Sequence, residues 1–268
     1  MYQLDHIVHF VNRPEDALTY FKDAGLHVVI GGNHEAWGTY NALSYFDLTY
    51  IEFIGIYDEQ LFQMAAKQKY TLHESYEKNK RQNGFTRIAL STTCIEKDAI
   101  NFQKAGFDVI GPEAFSRKRQ DGSVVSWKLL HIGHQDSTIE LPFFIQWDQS
   151  TDFRRSEYTR RGIISNHPLG ALQLQAVYYY VPNLKFVEQF AKLCDGHVEM
   201  KKDDKLQCEI GIVSLTNAKI IFYHPIGEGM IMDETLEGGY GIRKVTFSGA
   251  NEQQQVINYD GALYEVRE

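Results

Sequence analysis

The stretch FKDAGLHV at Phe21–Val28 recurs as FQKAGFDV at Phe102–Val109, which lies 81 residues further along the chain. The same offset aligns the preceding segments, LDHIVHF at Leu4–Phe10 and FTRIALS at Phe85–Ser91. A repeat of this length is one supersecondary unit that the chain uses twice. The repeat therefore predicts a fold built from two copies of the same set of strands around one helix.

Each copy predicts the element order β-α-β-β-β. In the first copy a strand at Leu4–Val11 precedes a helix with Pro14 near its first turn, and Gly25 ends that helix. Three further strands are predicted in this copy, at Leu26–Ile30, Thr39–Phe46 and Thr49–Tyr57. The second copy has a helix ending at Gly106 and a longer hairpin loop at 117–122, and its strands are predicted at Phe85–Thr92, Phe107–Ile110, Val124–Ile132 and Thr138–Trp147.

The pattern of apolar and polar segments predicts an α+β fold in three parts. Residues 1–148 contain the two units, which a polar linker helix joins at about 59–83. Residues 149–169 form a polar connector that we expect on the surface, and residues 170–268 contain a degenerate third unit with part of a fourth. In the third unit Ile221 takes the place of Glu52, so a site that depends on this carboxylate belongs to the first two units.

Charge and composition restrict the kind of partner. The net charge of −8 argues against nucleic acid, whose binding needs a basic surface. No apolar run reaches the length of a membrane span, and the start of the chain lacks the pattern of a secretory signal, so we expect a cytoplasmic protein without a membrane partner. The three cysteines form no pairing framework and are expected to be reduced. A small molecule is the expected partner, and a homodimer is compatible with the sequence.

Polar residues recur at matching positions of the two copies. Successive side chains of a strand face opposite sides, so Glu52, between Ile51 and Phe53, points away from the helix-covered face. In the second copy Arg87 aligns with His6, and Glu140 in the segment TIEL aligns with Glu52 in YIEF. We therefore expect these four side chains to converge on the concave face, with His9 on the opposite side.

Two interpretations of this set are open. The four side chains could bind a divalent cation or a polar substrate. Alternatively, the carboxylates of Glu52 and Glu140 are solvated on an open sheet, with Arg87 paired to one of them. The coincidence of both carboxylates with the repeat favours a functional pocket.

The tandem units, with His6 in a first strand and Glu52 in a fourth, resemble the vicinal oxygen chelate superfamily and, within it, a glyoxalase-like domain group. The segments His34–Leu43 and Pro142–Trp147 are similar to stretches of that group. The resemblance implies a cup-shaped mixed sheet made by two βαβββ modules, with metal ligands from the first and fourth strands of each. Those positions hold His6, Glu52, Arg87 and Glu140 in this chain. Arg87 departs from the pattern, because a guanidinium cannot ligate a metal.

The resemblance leaves three modes of action open. His6, Glu52 and Glu140 hold a divalent metal (Mn, Fe, Zn, Ni or Mg), with the two carboxylates as catalytic groups. In a metal-free enzyme, Arg87 instead clamps a substrate carboxylate or phosphate while Glu52 or Glu140 acts as general base. In the third mode the pocket only binds. The first two predict a lyase, isomerase or dioxygenase, and the third a sequestration protein of the bleomycin-resistance type.

Further residues are candidates for contact with a substrate. His34, Thr39 and Asn41 could line the cup, although a structural role in a turn suits them equally. Trp127 could form an aromatic wall, although packing in the core is the commoner role of a strand tryptophan. Arg117 in the long loop could cover an acidic ligand, whereas its neighbour Arg119 is expected to be solvated.

Overall fold

The two repeated units form one β-barrel in the computed structural model, which describes residues 2–119, 121–135, 137, 139–194, 196–251 and 254–268. The first unit contains β1 (Gln3–Phe10), α1 (Pro14–Asp23), β2 (Val29–His34), β3 (Thr39–Phe46) and β4 (Thr49–Ile56). The second unit contains β5 (Gly84–Ser91), α4 (Ile95–Lys104), β6 (Asp108–Lys118), β7 (Val124–Gly133) and β8 (Phe143–Trp147). The linker consists of two short helices, α2 (Glu59–Ala65) and α3 (Leu72–Lys78), rather than one. The predicted α+β class and the β-α-β-β-β order of both units are confirmed.

The strands close into a barrel in the order β1-β4-β3-β2-β6-β7-β8-β5. β1 pairs in parallel with β4 of its own unit and antiparallel with β5 of the other unit. Ile7 lies opposite Ile88, so a local twofold axis at this pair relates the two units. The predicted cup is thus a closed barrel, whose inner face carries every second residue of each strand.

The equivalent helices α1 and α4 lie on the outside of the barrel, and the repeated sequence determines where they begin and end. Glu15 and Asp16 occupy the first turn of α1, where the partial positive charge of the helix favours carboxylates. Both helices end as predicted at a glycine with positive φ, Gly25 at +88° and Gly106 at +90°. The apolar face of α1 is buried against the outer side of the barrel sheet.

The remaining strands form a second, seven-stranded sheet in the order β10-β11-β12-β9-β13-β15-β14. The third unit contains β9 (Gly170–Tyr180), α6 (Lys185–Leu193), β10 (Val198–Asp203), β11 (Cys208–Ser214) and β12 (Lys219–Pro225). After α7 (Met230–Gly238), the partial fourth unit contributes β13 (Gly241–Ala250), β14 (Gln255–Tyr259) and β15 (Ala262–Val266). Among the helices of the described ranges, none has the length and apolarity needed to cross a bilayer.

The outer face of the barrel packs against the second sheet in one continuous hydrophobic core. His9 lies in this contact, on the opposite side of β1 from His6 as predicted, and its Nδ1 is 2.5 Å from the hydroxyl of Tyr264. Burial lowers the pKa of His9 to about 3, so the imidazole is neutral at physiological pH. The neighbours of His9 on this side include Tyr264 of the second sheet as well as barrel aromatics.

Helices outside the repeat cover the two ends of the barrel. At one end α2 and α3 pack Phe62 and Tyr76 against Phe10 inside the barrel. At the other end α5 (Thr151–Arg160) buries Arg154 and Tyr158. The expectation that residues 149–169 simply lie on the surface is wrong, because one side of α5 closes the barrel.

Phe21 of α1 tests the contact between barrel and second sheet. Its ring lies 4.7 Å from that of Phe53 and 4.9 Å from that of Tyr264, measured between centroids. We expect Phe21→Ala to lower the free energy of unfolding by roughly 3–5 kcal/mol in urea titrations, because a buried phenyl ring leaves a cavity. The matched control is Phe153→Ala, since Phe153 is 54% exposed on α5. Equal effects of the two substitutions would contradict the described packing.

Candidate functional site

The barrel encloses a chamber with about 50 Å³ of free space. All three tryptophans of the chain, Trp37, Trp127 and Trp147, line it. Seven ionisable side chains also line it: His6, His34, Tyr50, Glu52, His73, Arg117 and His131. Most of the remaining wall is aromatic or aliphatic, so these polar groups lie in an environment that strengthens electrostatic interactions.

Glu52 is the carboxylate of the chamber and is 7% exposed. It faces inward because its neighbours along β4 belong to the outer core. The Asn41 amide donates to Oε1 at 2.5 Å, while the imidazole Nε2 atoms of His34 and His6 lie 3.9 Å from Oε1 and 3.7 Å from Oε2 respectively. Oε1 therefore accepts a hydrogen bond from the protein, and Oε2 is the oxygen available to a ligand.

A second carboxylate fixes the orientation of His6. Asp5 Oδ1 lies 2.8 Å from His6 Nδ1, and Asp5 Oδ2 accepts a hydrogen bond of 2.8 Å from the indole of Trp147. The ring of Tyr50 stacks on the imidazole at 4.6 Å between centroids. A carboxylate at Nδ1 favours a proton on that nitrogen, which leaves Nε2 directed at Glu52. Asp5 was missed in the sequence because it directly precedes His6 in β1, and alternation along a strand predicts that its side chain points to the opposite face.

The other three histidines of the chamber are neutral at physiological pH. Burial lowers the pKa of His34 to about 4, although the charge of Glu52 acts in the opposite direction. Burial also lowers the pKa of His73 and of His131 to about 3. His73 Nε2 and His131 Nδ1 are buried and have no hydrogen-bond partner among the described residues. The alternation of Trp127, Leu129 and His131 along β7 could have revealed His131, whereas His73 belongs to the linker and had no comparable signal.

The residues proposed from the sequence to contact a substrate largely come together. His34, Asn41, Trp127 and Arg117 line the chamber. Arg117 Nη1 donates to Asn41 Oδ1 at 3.1 Å. It belongs to β6 and not to the hairpin loop, because β6 extends to Lys118. Thr39 reaches the site indirectly, through a 3.0 Å hydrogen-bond contact between its hydroxyl and Nδ1 of His34.

The prediction that Glu140 is the counterpart of Glu52 is wrong. β8 begins only at Phe143, and Phe143 pairs with Ala89 just as Glu52 pairs with Val8 in the first unit. The position equivalent to Glu52 is therefore Phe143. The carboxylate of Glu140 lies outside the chamber, 3.5 Å from Nζ of Lys78. The predicted start of this strand at Thr138 lies outside the described residues.

The predicted ion pair between Arg87 and Glu52 or Glu140 is not formed. Nε and Nη2 of Arg87 donate to the carbonyl oxygen of Leu141 at 2.8 and 2.5 Å, and its Nη1 donates to the carbonyl oxygen of Tyr70. The side chain is 1% exposed and its guanidinium lies 5.5 Å from the centroid of Phe143. Arg87 therefore braces the segment before β8 against the linker, and no ion pair of the described residues involves it.

The side chains present do not fit the four-ligand metal centre that the resemblance implies. Its positions hold His6, Glu52, Arg87 and Phe143, of which only the first two can ligate a metal. The predicted set of His6, Glu52 and Glu140 is not assembled, since Glu140 lies elsewhere. Within the described ranges, no group of three or more His, Cys, Asp or Glu residues is arranged to hold an ion.

The neutral histidines predict loss of stability in acid. Their folded-state pKa values of about 3 to 4 lie below the usual 6.5, so the unfolded chain binds more protons. Stability is therefore fully present above about pH 6.5 and falls as the pH is lowered towards 4. In urea titrations between pH 7 and 5, His73→Gln should reduce this dependence by up to about 1.4 kcal/mol per pH unit. The control is His197→Gln, because His197 is exposed. An unchanged slope in His73→Gln would show that His73 protonates in the folded protein.

The donor set predicts weak metal binding. Equilibrium dialysis of the wild-type protein against Zn²⁺, Ni²⁺ or Mn²⁺ should give substoichiometric binding, because two ligand positions hold Arg87 and Phe143. The double variant Arg87→His/Phe143→Glu restores an imidazole and a carboxylate there and should bind more tightly. Stoichiometric, tight binding by the wild-type protein would refute this assignment of the positions.

Comparison with known proteins agrees with this architecture. A hypothetical protein from Staphylococcus aureus, known from its crystal structure, is 24% identical over 100% of this chain and 99% of its own, with a TM-score of 0.82. A mutant of 4-hydroxymandelate synthase from Streptomyces coelicolor is 11% identical over 92% of this chain and 70% of its own, with a TM-score of 0.57. At these identities the likeness concerns the fold alone. None of the curated protein sequences matches the chain significantly.

A family model described as a glyoxalase-like domain matches residues 4–194, which include the whole barrel, α5 and the first strand and helix of the third unit. The matched region contains every side chain of the chamber. On this match and on the tandem β-α-β-β-β units, the chain belongs to the glyoxalase-like domain family of the vicinal oxygen chelate superfamily.

Proposed function

We propose that the barrel binds a small polar or anionic metabolite and catalyses proton transfer on it without a metal, as an isomerase or lyase. The observation that carries this proposal is the buried carboxylate of Glu52 between the imidazoles of His6 and His34. A positioned carboxylate and imidazole are the usual groups of general acid–base catalysis. The poor fit of the chamber to a four-ligand metal centre supports a metal-free mechanism.

Each group of the chamber has a role in this proposal. Glu52 Oε2 takes a proton from the substrate, while the Asn41 amide holds Oε1 and fixes the carboxylate. His6 Nε2, on the Oε2 side of the carboxylate, returns a proton to the substrate. Asp5 stabilises the imidazolium form of His6 in the way a buried aspartate supports an acid–base histidine. Neutral His34 donates or accepts a hydrogen bond without adding charge.

The size of the chamber restricts the substrate. Free space of about 50 Å³ accommodates one or two water molecules. The proposed substrate is therefore small, and it displaces water from the chamber when it binds. The three tryptophans offer flat apolar walls to its carbon atoms, and His73 and His131 offer unused nitrogen atoms.

Exchange of substrate hydrogen with solvent tests the proposal. In D₂O with a panel of small 2-oxo and 2-hydroxy acids, the wild-type protein should incorporate deuterium into at least one compound, as followed by proton NMR. Glu52→Gln should slow this exchange by about 100-fold or more, because it removes the base. The matched control is Glu140→Gln, whose carboxylate lies outside the chamber and whose loss should leave the rate unchanged. Exchange by Glu52→Gln at the wild-type rate would refute the role of Glu52.

A metal-free binding protein is the second candidate function. The mainly aromatic and aliphatic wall favours it, since such walls bind small molecules without chemistry. In this case no compound would exchange hydrogen. Wild-type protein and Glu52→Gln would then bind the same ligand in saturation-transfer NMR.

A further inference from the structure

Three arginines are buried around the end of the barrel that α5 covers. Arg117, Arg119 and Arg154 are 8%, 9% and 4% exposed. The Nε atom of each lacks a hydrogen-bond partner among the described residues, and so do the Nη2 atoms of Arg119 and Arg154. Buried guanidinium groups normally have their donors satisfied, so five unused donors in one region require an explanation.

The arginines lie around a common set of tyrosines. The guanidinium carbons of Arg119 and Arg154 are 5.2 and 5.7 Å from the centroid of Tyr158 on α5. The ring of Tyr158 is in turn 5.6 Å from that of Tyr45. Burial raises the pKa of Tyr45, and the charges of Arg117 and Arg154 both act against this rise. Arg119 forms an ion pair with Glu157 at 3.5 Å. In the described part of the chain, no ion pair shorter than 3.9 Å involves Arg117 or Arg154.

The carboxylates of the described residues leave Arg154 without a hydrogen-bonded counter-ion. Among them, Asp5 Oδ2 lies 3.9 Å from Nη1, which is too long for a hydrogen bond. Asp5 already binds His6 and accepts from Trp147. Nε and Nη2 lie on the same edge of a guanidinium, and this edge binds both oxygens of a carboxylate or two oxygens of a phosphate. In Arg154 both donors of this edge lack a hydrogen-bond partner in the described part of the chain.

Arg154 lies at a boundary between two spaces. Trp147 lines the chamber and also a cleft of about 2000 Å³ outside the barrel, which Arg154 lines as well. The guanidinium of Arg154 stacks on Trp147 at 3.9 Å from its ring centre. On the chamber side, hydrogen bonds link Arg117 to Asn41 and Asn41 to Glu52.

We propose that Arg154, with Arg117, forms an oxyanion site at the α5 end of the barrel, which binds the carboxylate or phosphate group of the substrate. The substrate enters from the cleft beside Trp147, and its anionic group stays at the arginines while its other end reaches Glu52. This inference deepens the proposed function and uses the same chamber. It adds the class of substrate, a small oxyanion, and the side of entry.

The fluorescence of Trp147 provides a local test. Wild-type protein is titrated with inorganic phosphate and, separately, with succinate, at constant ionic strength set by potassium chloride. We expect saturable changes in tryptophan emission with at least one of the two probes. A response to phosphate alone identifies a phosphate group, and a response to succinate alone a carboxylate group. Trp147→Phe should lose most of the change, and a change that persists in it would overturn the site.

Arg154→Gln should raise the Kd for the responding probe at least about tenfold, because it removes a charged bidentate donor. The matched control is Arg155→Gln, since the neighbouring Arg155 is half exposed and paired with Asp47, and its Kd should equal the wild-type value. If Arg154→Gln does not fold by circular dichroism, Arg154→Lys keeps the charge but lacks the two-donor edge, and it should also bind more weakly. Equal binding by wild type and the folded Arg154 variant, or no response to either probe, would overturn the inference.

The outcome is separable from that of the proposed function. Glu52→Gln removes a negative charge from the chamber and should bind the probe at least as tightly as the wild-type protein. Loss of hydrogen exchange with intact probe binding therefore supports both proposals. Intact exchange in Glu52→Gln refutes only the role of Glu52, and unaltered binding in the Arg154 variant refutes only the oxyanion site.

Discussion

The antiparallel pairing of β1 with β5 is the interaction on which the rest of the structure depends. It joins the two repeated units at Ile7 and Ile88 and completes the barrel. Because strand side chains alternate, the same register decides that His6 faces the chamber and that His9 faces the second sheet. A shift by one residue would exchange these two faces of β1. It would place a core residue such as Ile7 among the polar groups and remove His6 from Glu52.

Burial of charge is the second constraint on the site. Glu52, Asp5, Arg117 and Arg154 are all less than one tenth exposed, in a region rich in aromatic side chains. Such charges are tolerated when hydrogen bonds or opposite charges compensate them. Asn41 and the imidazoles surround Glu52, and His6 and Trp147 bind Asp5. The charges of both carboxylates are therefore compensated. The arginines have fewer of their donor atoms in hydrogen bonds with described residues. This difference distinguishes the α5 end from the rest of the chamber.

The repeat was sufficient to predict the unit order, the helix ends at Gly25 and Gly106 and the inward orientation of Glu52, because these follow from local sequence and strand alternation. The pairing of Glu140 with Glu52 failed because the similarity of TIEL to YIEF is local. The register of β8 is set by its hydrogen bonds to β5, and these place Phe143 at the equivalent position. The burial of Arg154 and Tyr158 could not be read from the sequence, since α5 is polar along its length and only the barrel end beneath it determines which side is covered.

The contact between His9 and Tyr264 joins residues 255 positions apart in the chain. Contacts of such separation require closure of a very long loop before they contribute stability, and folds rich in them form slowly. On the ribosome, β1 therefore lacks its contacts with β15 until nearly the whole second sheet has emerged, although α1 can pack on the barrel earlier. The two repeated units share hydrogen bonds that can form early, but the outer layer of their core is completed late. The cover that Tyr264 gives to His9 is therefore among the last contacts that the chain can complete, because 255 positions separate the two residues.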